Sequence, residues 1–240
     1  MEITYAVHMT TSTPGRRTRR PRNSLTADAI LDAAEQVAAQ GLDGLTIRAL
    51  ATELDSSPMA LYRYFATKDE LVDAMLDRVL GRFAMADDTD DWAHDLAAFT
   101  EAHRRLLIEH PWAVVVLFSH PSPGVNAVRI GERALGILDR AGIRGAQAVA
   151  AFSALLALNY GWCAFSLARD PSTPTGERAP DLAPSLAALP ADLFPFTAAA
   201  AAPMADYGSD DQYTAALAFL LHGVAASAGS PAARPARRRR

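Results

Sequence analysis

The sequence predicts an all-α protein in which an N-terminal three-helix domain with a helix-turn-helix is joined by a long helix to a larger helical domain. Two observations predict this fold class. Apolar residues recur at intervals of three and four along most of the chain, and Ser, Thr or Asp residues suited to capping stand before several of these segments. We find no period-two alternation typical of a half-buried strand, so we expect helices to form the core.

The composition indicates a globular protein of one large or two small domains, because half of its 240 residues are apolar. A net charge of −4 does not indicate nucleic-acid binding, although a small basic domain on a larger acidic one would give the same total. Residues 16–22 and 234–240 each contain five arginines. We expect a disordered Arg-rich arm at 1–25, which either contacts DNA or only solubilises the chain, and a disordered basic tail at 230–240.

The cysteine content and the N-terminal residues both favour a cytoplasmic protein. Cys163 is the one cysteine, so the chain cannot form an internal disulfide. The segment MEITYAVHM is too short and too polar for the apolar core of a secretory signal.

The first domain, residues 26–84, begins with a helix that Thr26 caps and Gly41 ends. The hydroxyl of Thr46 is suited to cap a second helix. This helix then places four apolar residues on one face: Ile47, Leu50, Ala51 and Leu54.

A tight turn and a short third helix follow. Asp55 is a residue type that tolerates the left-handed conformation of such a turn. Ser57 is suited to cap the next helix, with Pro58 at its first position. Leu61 and Phe65 are spaced to pack inward, which leaves the other side chains of this helix facing outward. Two short helices across such a turn are typical of a helix-turn-helix, although spacing alone also fits an ordinary helical corner. The Thr-x-x-Glu sequence at 67–70 then predicts the start of a long fourth helix.

Two sequence patterns are more specific evidence for a helix-turn-helix than the spacing of its apolar residues. They are Leu42-x-Gly44-Leu45-Thr46-x-Arg48-x-Leu50-Ala51 and Leu61-Tyr62-x-Tyr64-Phe65-x-x-Lys68-x-x-Leu71. Over about residues 26–83 the chain resembles the DNA-binding domain of the tetracycline-repressor (TetR) family of bacterial transcriptional regulators. The sequence departs from that family at Asp55, where the family usually has Gly, and we expect the turn to survive with modest strain.

The resemblance implies that the helix-turn-helix binds double-stranded DNA. The free N–H groups at the start of the second helix, with the Thr46 hydroxyl, suit a phosphate. Arg48 has the reach for guanine or a phosphate, and Met59 offers apolar contact to a thymine methyl. The alternative is that Thr46 is only a cap and that the tyrosines are partly core. The expected DNA contacts are Thr46, Arg48, Ser57, Met59, Ala60, Tyr62, Tyr64 and Lys68.

The second domain, residues 90–229, is predicted to contain helices at 91–109, 125–141, 146–168 and 209–228, with a short apolar segment at 112–119 and a turn at 120–124. Seven of the fifteen prolines fall between Asp170 and Tyr207, so we expect an irregular Pro-rich loop at 170–208. This part resembles the ligand domain of the tetracycline-repressor branch, although less specifically. The likeness is carried by Asp91-Trp92, His110-Pro111-Trp112, Gly131-Glu132-x-x-Leu135, and Asp211-Gln212-Tyr213 to Leu221-x-Gly223.

Two uncharged helices have two interpretations. Ala146–Ala168 is long enough to span a bilayer, and Gln212–Gly229 has His222 as its one residue that titrates near neutral pH. The flanks lack an aromatic belt or a one-sided positive cluster, and a helix apolar on all sides is also typical of one buried between two subunits. We therefore favour a homodimer with a four-helix bundle across its interface, which the resemblance also implies, over a membrane protein.

The sequence contains no constellation of catalytic residues, no glycine-rich phosphate loop and no HExxH metal motif, so we expect no enzyme activity, no cofactor and no bound metal. The tetracycline–magnesium mode is not expected, because Ala84 and about Leu117 stand at the positions that align with the founding repressor's histidines. A mostly apolar ligand pocket is expected inside the second domain. Its candidate residues are Phe99, His103, Leu107, Trp112, Val116, Phe118, Phe152, Leu156, Asn159, Tyr160 and Cys163.

The function implied is a cytoplasmic transcriptional regulator, a homodimeric repressor that a small, largely apolar ligand releases from a palindromic operator. An alternative is a small-molecule-binding protein or enzyme on the same fold without operator binding. Arg48, Tyr62, Tyr64 and Lys68 argue against that alternative because they retain the DNA-contact pattern.

Overall fold

A computed structural model describes residues 25–119, 124–169 and 182–228, without the side chain of residue 168. The expected tail, most of the arm and most of the 120–124 turn lie outside these residues. Within the described ranges the fold is all α-helical, as the sequence predicts, apart from a short 3₁₀ turn at Leu42–Gly44. The larger helices are α1 (Ala27–Ala38), α2 (Ile47–Glu53), α3 (Pro58–Leu61), α4 (Lys68–Leu80), α5 (Trp92–Glu109), α6 (Pro111–Ser119), α7 (Val125–Arg140), α8 (Gly145–Arg169) and α12 (Asp210–Ser227).

Helices α1 to α4 form the N-terminal domain around fully buried aliphatic side chains such as Ile30, Leu50 and Leu61. An ion-pair group fastens α4 to α1. The Arg78 guanidinium lies 2.7 Å from Glu35 on α1, and the Arg82 guanidinium lies 2.8 Å from the same carboxylate. These contacts fix the helix that leaves the domain relative to the helix that begins it.

Helix α4 continues into the second domain by packing on α6 and α7, while α5 packs on α7, α8 and α12. A buried carboxylate joins these elements. Asp95 on α5 accepts hydrogen bonds from Arg140 on α7 (2.5 Å) and from the backbone N–H of Thr89 (3.0 Å). The Arg140 guanidinium holds the pKa of Asp95 below its usual value, and bonds from Thr89 act in the same direction. The buried charge is thus paired, as a buried ion must be.

The expectation of an irregular loop at 170–208 is wrong for part of that segment. Its described portion contains three short helices, α9 (Ala183–Ala187), α10 (Pro195–Ala199) and α11 (Ala201–Ala205), which pack on one another. Prolines occupy the first turn of α9 and α10. Proline is tolerated there because the first N–H groups of a helix have no partner within the helix. Residues 170–181 lie outside the described ranges.

Candidate nucleic-acid interface and ligand region

Both helices of the helix-turn-helix begin with a hydroxyl cap. The Thr46 hydroxyl accepts a hydrogen bond from the Ala49 N–H at 3.1 Å, and the Ser57 hydroxyl accepts one from the Ala60 N–H at 3.3 Å. Both capping residues are exposed. Capping satisfies one donor at each helix end and leaves others directed at solvent, where a phosphate oxygen can accept them.

The turn between α2 and α3 has the left-handed residue that the sequence predicts. Asp55 has φ +47°, and the turn closes with hydrogen bonds from the Ser56 N–H to the Ala51 carbonyl (2.8 Å) and from the Asp55 N–H to the Thr52 carbonyl (3.2 Å). This pair of bonds is the Schellman ending of a helix. The turn therefore forms with Asp in place of Gly.

Side chains of α3 divide between core and solvent as expected. Leu61 is fully buried and Phe65 is nearly so. Met59 is 72% exposed and Tyr62 is 46% exposed, so two large side chains of the helix-turn-helix face solvent. Arg48 and Lys68 are also exposed, and Ala60 is half-buried. The outward set thus forms one accessible surface around α3.

Tyr64 has a partner that the sequence did not reveal. Its hydroxyl donates a hydrogen bond to the carbonyl of Leu25 at 2.6 Å, which ties the start of α1 to the end of the helix-turn-helix. A tyrosine hydroxyl has one hydrogen to donate. A phosphate contact by Tyr64 would therefore replace this internal bond, and that contact stays a prediction.

The start of α4 differs in detail from the expected capping box. The Thr67 hydroxyl accepts from the Glu70 N–H at 3.0 Å, as the sequence predicts. The Glu70 carboxylate, however, accepts from the N–H of Ala66 at 2.7 Å, one residue before the capping residue. The exposed Lys68 is consequently held at the first position of α4.

Several of the expected ligand residues come together as an aromatic cluster. The rings of Phe99 and His103 are stacked, with centroids 6.3 Å apart, and His103 lies 5.8 Å from Tyr160. Tyr160 meets Phe118 at 5.8 Å, and Phe152 lies 6.4 Å from Phe99. The cluster also includes Phe83, 5.3 Å from Phe99, a residue that sequence reasoning missed because it stands at the end of the first domain.

A buried polar network adjoins the cluster. The Asn159 amide donates to the Thr100 carbonyl (2.9 Å) and lies 3.0 Å from Nδ1 of His103. Its oxygen accepts from the hydroxyl of Tyr213 on α12 at 2.9 Å. Asn159 is therefore satisfied within the chain and does not need a ligand as its partner. Thr100 and Tyr213 were not predicted, since they lie 59 and 54 residues from Asn159.

Burial keeps the titratable groups of this region neutral. It lowers the pKa of His103 to about 4 and raises the pKa of Tyr160 to about 12. Because the Asn159 amide group donates to Nδ1, the network assigns the hydrogen of the neutral His103 ring to Nε2. The region therefore offers hydrogen bonds from uncharged groups in aromatic surroundings.

The remaining expected ligand residues lie around the aromatic cluster. Leu107 and Cys163 pack with Val114 in a small apolar group that Tyr160 contacts. Burial raises the pKa of the Cys163 thiol to about 11. Trp112 and Val116 belong to the main core, Leu156 is half-buried, and Phe118 at the edge of the cluster is 66% exposed.

A cleft of about 410 Å³ lies between the end of α4, the residues that follow it and α7. None of its lining residues was predicted as a ligand contact. Phe83 lines it and also contacts Phe99 and His103, so the cleft adjoins the aromatic cluster. Across the described ranges, no group of three or more His, Cys, Asp or Glu side chains is placed to hold a metal ion.

The fold and the exposed α3 surface define a helix-turn-helix protein with a separate helical domain. Residues 30–75 match the family described as bacterial regulatory proteins, tetR family, and residues 85–228 match the tetracyclin repressor-like C-terminal domain. The chain belongs to the TetR family of bacterial regulatory proteins.

Known proteins similar to this chain are regulators. It is 35% identical over 153 residues to the HTH-type transcriptional repressor DrrR1 of Streptomyces coeruleorubidus, covering 62% of this chain and 57% of that protein. It is 34% identical over 138 residues to an HTH-type transcriptional regulator of Saccharopolyspora erythraea, covering 57% of this chain and 58% of that protein. The aligned part thus spans less than two thirds of these relatives. The TetR family protein ActR of Streptomyces coelicolor, in complex with actinorhodin, superposes with TM-score 0.77 and 27% identity over 86% of this chain and 99% of that chain.

Proposed function

We propose that this protein is a cytoplasmic transcriptional repressor that binds a palindromic DNA operator as a homodimer and leaves it when a small, largely apolar molecule binds the second domain. The observation that carries the proposal is the α3 surface, where Met59 and Tyr62 face solvent above a core that accepts Leu61 and Phe65. A monomeric fold gains nothing from exposing these side chains, whereas a major groove of about 12 Å width admits such a helix.

The proposed contacts have two roles: some position the protein on the DNA phosphates, and others recognise the bases. The N-termini of α2 and α3, with Lys68 at the start of α4, would hold phosphates and set the register on the duplex. Arg48, one residue inside α2, would reach a guanine edge or a phosphate, and Met59 would read a thymine methyl. Membership of a family of DNA-binding regulators supports this division of roles.

A two-fold dimer is proposed from the outward face of α8 and α12. Ala146, Val149 and Ala150 on α8 are exposed, as are Ala218 and Phe219 on α12, and the groove between the helices has a volume of about 290 Å³. This face contains small and apolar side chains, which allow close approach of a second copy. Such a dimer would place two α3 helices about 34–36 Å apart, in successive major grooves.

A membrane-spanning role is the competing explanation for the same residues. One helix of the described residues, at Gly145–Leu167, is long and apolar enough to cross a membrane. The interior partners of α8 favour the dimer, because Asn159 bonds Thr100 and Tyr213, and the Trp162 ring N–H donates to the Ser209 carbonyl at 3.1 Å. A helix tied in this way to α5 and α12 belongs to a folded helical domain.

The effector is proposed to bind against the aromatic cluster. Phe99 and His103 are buried and Tyr160 is half-buried, so a ligand would bind here by moving these rings apart. The surroundings are aromatic and the hydrogen-bonding groups uncharged, which suits a neutral aromatic molecule. The structure of ActR with actinorhodin supports a ligand-responsive function in this fold. The ligand would release DNA by favouring a state in which the two α3 helices no longer match the groove spacing.

A gel-shift titration at fixed salt tests the DNA claim, with an operator selected from random DNA by the wild-type protein. The triple variant Arg48→Ala/Tyr64→Ala/Lys68→Ala should lose binding, and Arg48→Ala alone should lose about 1–3 kcal/mol of sequence discrimination if it reads a base. Arg144→Ala is the control for Arg48→Ala, because it removes one arginine charge at the exposed start of α8, where Arg144 pairs with Asp139. Equal operator binding by wild type and the triple variant would overturn the proposal.

A further inference from the structure

We propose that the cleft between α4 and α7 binds an amphipathic anion, a molecule with an apolar body and one carboxylate or sulfonate group, and that this anion acts on α4 through Arg129, Asn126 and Asp77. The binding site itself does not depend on the proposed function, whereas its effect on DNA affinity does. The cleft volume of about 410 Å³ falls in the range of small-molecule sites, roughly 300–1,000 Å³.

The cleft combines an apolar wall with positive charge. Leu80, Phe83, Met85 and Ile130 supply the apolar wall. Among the charged residues that line it, two are arginines, Arg129 and Arg133, and one is an aspartate, Asp87. A ligand with an anionic group would therefore bind at whichever arginine is not already paired with a carboxylate.

The two arginines differ in what they already bind. Arg133 donates to the Asp88 carboxylate (2.8 Å) and to the Ala86 carbonyl (3.2 Å), so its charge is neutralised. Arg129 donates to the neutral side-chain oxygen of Asn126 at 3.0 Å and, within the described ranges, to no carboxylate. An arginine has five N–H donors in a planar fork that fits a carboxylate or sulfonate. Arg129 is therefore the anion-binding group of the cleft.

Asn126 connects Arg129 to the N-terminal domain. Its backbone N–H donates to the Asp77 carboxylate at 2.8 Å, and its side-chain NH₂ donates to the carboxylate at 3.0 Å and to the Asp77 carbonyl at 2.9 Å. The capping residue of α7 is Gly124, which has no side chain to cap with. Asp77, from α4, thus caps the first turn of α7 across the domain boundary.

The close packing at this contact leaves little room for α7 to slide along α4. A Cβ atom at Gly124 would lie 2.1 Å from the Asp77 carboxylate, and one at Gly81 would lie 2.9 Å from the Asn126 amide nitrogen. An anion held by Arg129 competes with the Asn126 oxygen for the guanidinium and places a second negative charge near Asp77. Both effects weaken the contact between α7 and α4, the helix that follows the helix-turn-helix.

The site is tested with two fluorescent compounds on the full-length protein. The anion 8-anilinonaphthalene-1-sulfonate and the neutral N-phenyl-1-naphthylamine share the same ring system. Arg129→Gln should weaken binding of the anion roughly tenfold and leave the neutral compound unchanged, because only the anion uses the charge. Arg144→Gln, a matched loss of charge outside the cleft, should change neither. Equal anion affinity in wild type and Arg129→Gln, or an equal loss for both compounds, would overturn the site.

The connection to α4 is tested by operator titration with and without saturating anion. Wild-type DNA affinity should fall between 5-fold and 150-fold, the usual range of coupling between two sites. Asp77→Ala should bind the anion at least as tightly as wild type, because a nearby negative charge is removed, but should show a smaller fall in DNA affinity, with Asp77→Asn used if the alanine variant does not fold. An equal fall in wild type and variant would overturn the connection. If wild type binds no DNA at all, the proposed function fails while the fluorescence result still decides the site.

Discussion

The helix-turn-helix and the α8–α12 pair differ in how far apart in sequence their bonded partners lie. In the first region, bonds such as Thr46 to Ala49 and Ser56 to Ala51 join residues three to five positions apart. In the second, the bonds from Asn159 to Thr100 and from Trp162 to Ser209 cross 59 and 47 residues. The caps and the turn of the helix-turn-helix are thus formed by local chemistry, whereas the α8–α12 pair is held by contacts between distant helices.

This difference bears on how each region tolerates change. A local turn can lose one bond and keep its neighbours, whereas a helix positioned by distant partners moves when one partner is lost. The second arrangement suits the ligand response proposed above, because contacts between distant helices form or break together when a domain shifts between two states. The following variants test that contrast, from the largest expected effect to the smallest.

Ala218→Arg should have the largest effect, since it places a charge in the proposed subunit interface. Ala218 is exposed beside Phe219 on α12, so the separate subunit should fold normally. An unpaired charge in a buried interface costs on the order of 3–5 kcal/mol, which should convert dimer to monomer at micromolar concentration. Light scattering measures this, with Ala39→Arg at the exposed end of α1 as control. A wild-type monomer would contradict the dimer. Ala216 and Leu220 on the same helix are half-buried within the chain and give a less direct test.

Acid should destabilise the α5–α8 contact through His103. Its pKa is about 4 when folded and 6.5 in its ordinary state, so the unfolded chain binds more protons between these values. The contribution of neutral His103 to the free energy of unfolding is therefore fully present well above pH 6.5. It decreases as the pH drops toward 4, and about 2 kcal/mol is lost at pH 5. Urea unfolding at pH 7.5 and 5.0 should show a smaller loss for His103→Gln, which keeps an acceptor for Asn159. Equal losses in both proteins would show that burial does not hold His103 neutral.

Two alanine substitutions on α7 test the junction between the regions. Gly124→Ala should lower the free energy of unfolding by about 1–3 kcal/mol, because the new methyl group overlaps the Asp77 carboxylate. Gly136→Ala, on the exposed side of the same helix with no atom within 4 Å of the added group, should raise it by about 0.5–1 kcal/mol. Thermal unfolding measures the change in stability for both variants. Equal changes of the same sign would count against a close contact between Gly124 and Asp77.

Asp55→Gly should have the smallest effect. Asp55 occupies the left-handed region at φ +47°, which costs a non-glycine residue energy that Asp partly avoids. Glycine removes that strain but loses more backbone entropy, so the stability gain should stay below about 1 kcal/mol. Asp55→Val should instead destabilise by about 1–2 kcal/mol in the same thermal assay. A large loss in Asp55→Gly would mean that the aspartate side chain stabilises the turn in some further way.

The same contrast explains what the sequence could predict. The caps at Thr46 and Ser57 and the left-handed Asp55 follow from residues within a few positions, and the structure has all three. The partners of Asn159 could not be predicted from the sequence, because no residue near Asn159 in α8 indicates that Tyr213 faces Asn159. The bond from Tyr64 to Leu25 was hidden for the same reason, since 39 residues separate them. The short helices in 182–208 were missed because prolines that break a helix interior are tolerated at its first turn.

The DNA and ligand contacts differ from the caps and the turn, because they are made with molecules other than the chain itself. The α3 surface and the aromatic cluster place many expected residues together, but contact with DNA or with an effector remains a prediction for each of them. Phe83 shows the limit of pattern reading, since it belongs by sequence to the first domain and by packing to the ligand region. No periodicity could have assigned it to both.

The burial of Cys163 makes the chain suitable for site-directed spin labelling without first removing a thiol. It is the only cysteine, it is 1% exposed, and at a pKa of about 11 it carries almost no reactive thiolate at neutral pH. A cysteine introduced at Met59, which is 72% exposed, would therefore be the one that reacts. In a two-fold dimer each subunit would then carry one nitroxide on its α3 helix, and pulsed dipolar spectroscopy would read the separation of the two helices directly, with or without a candidate effector.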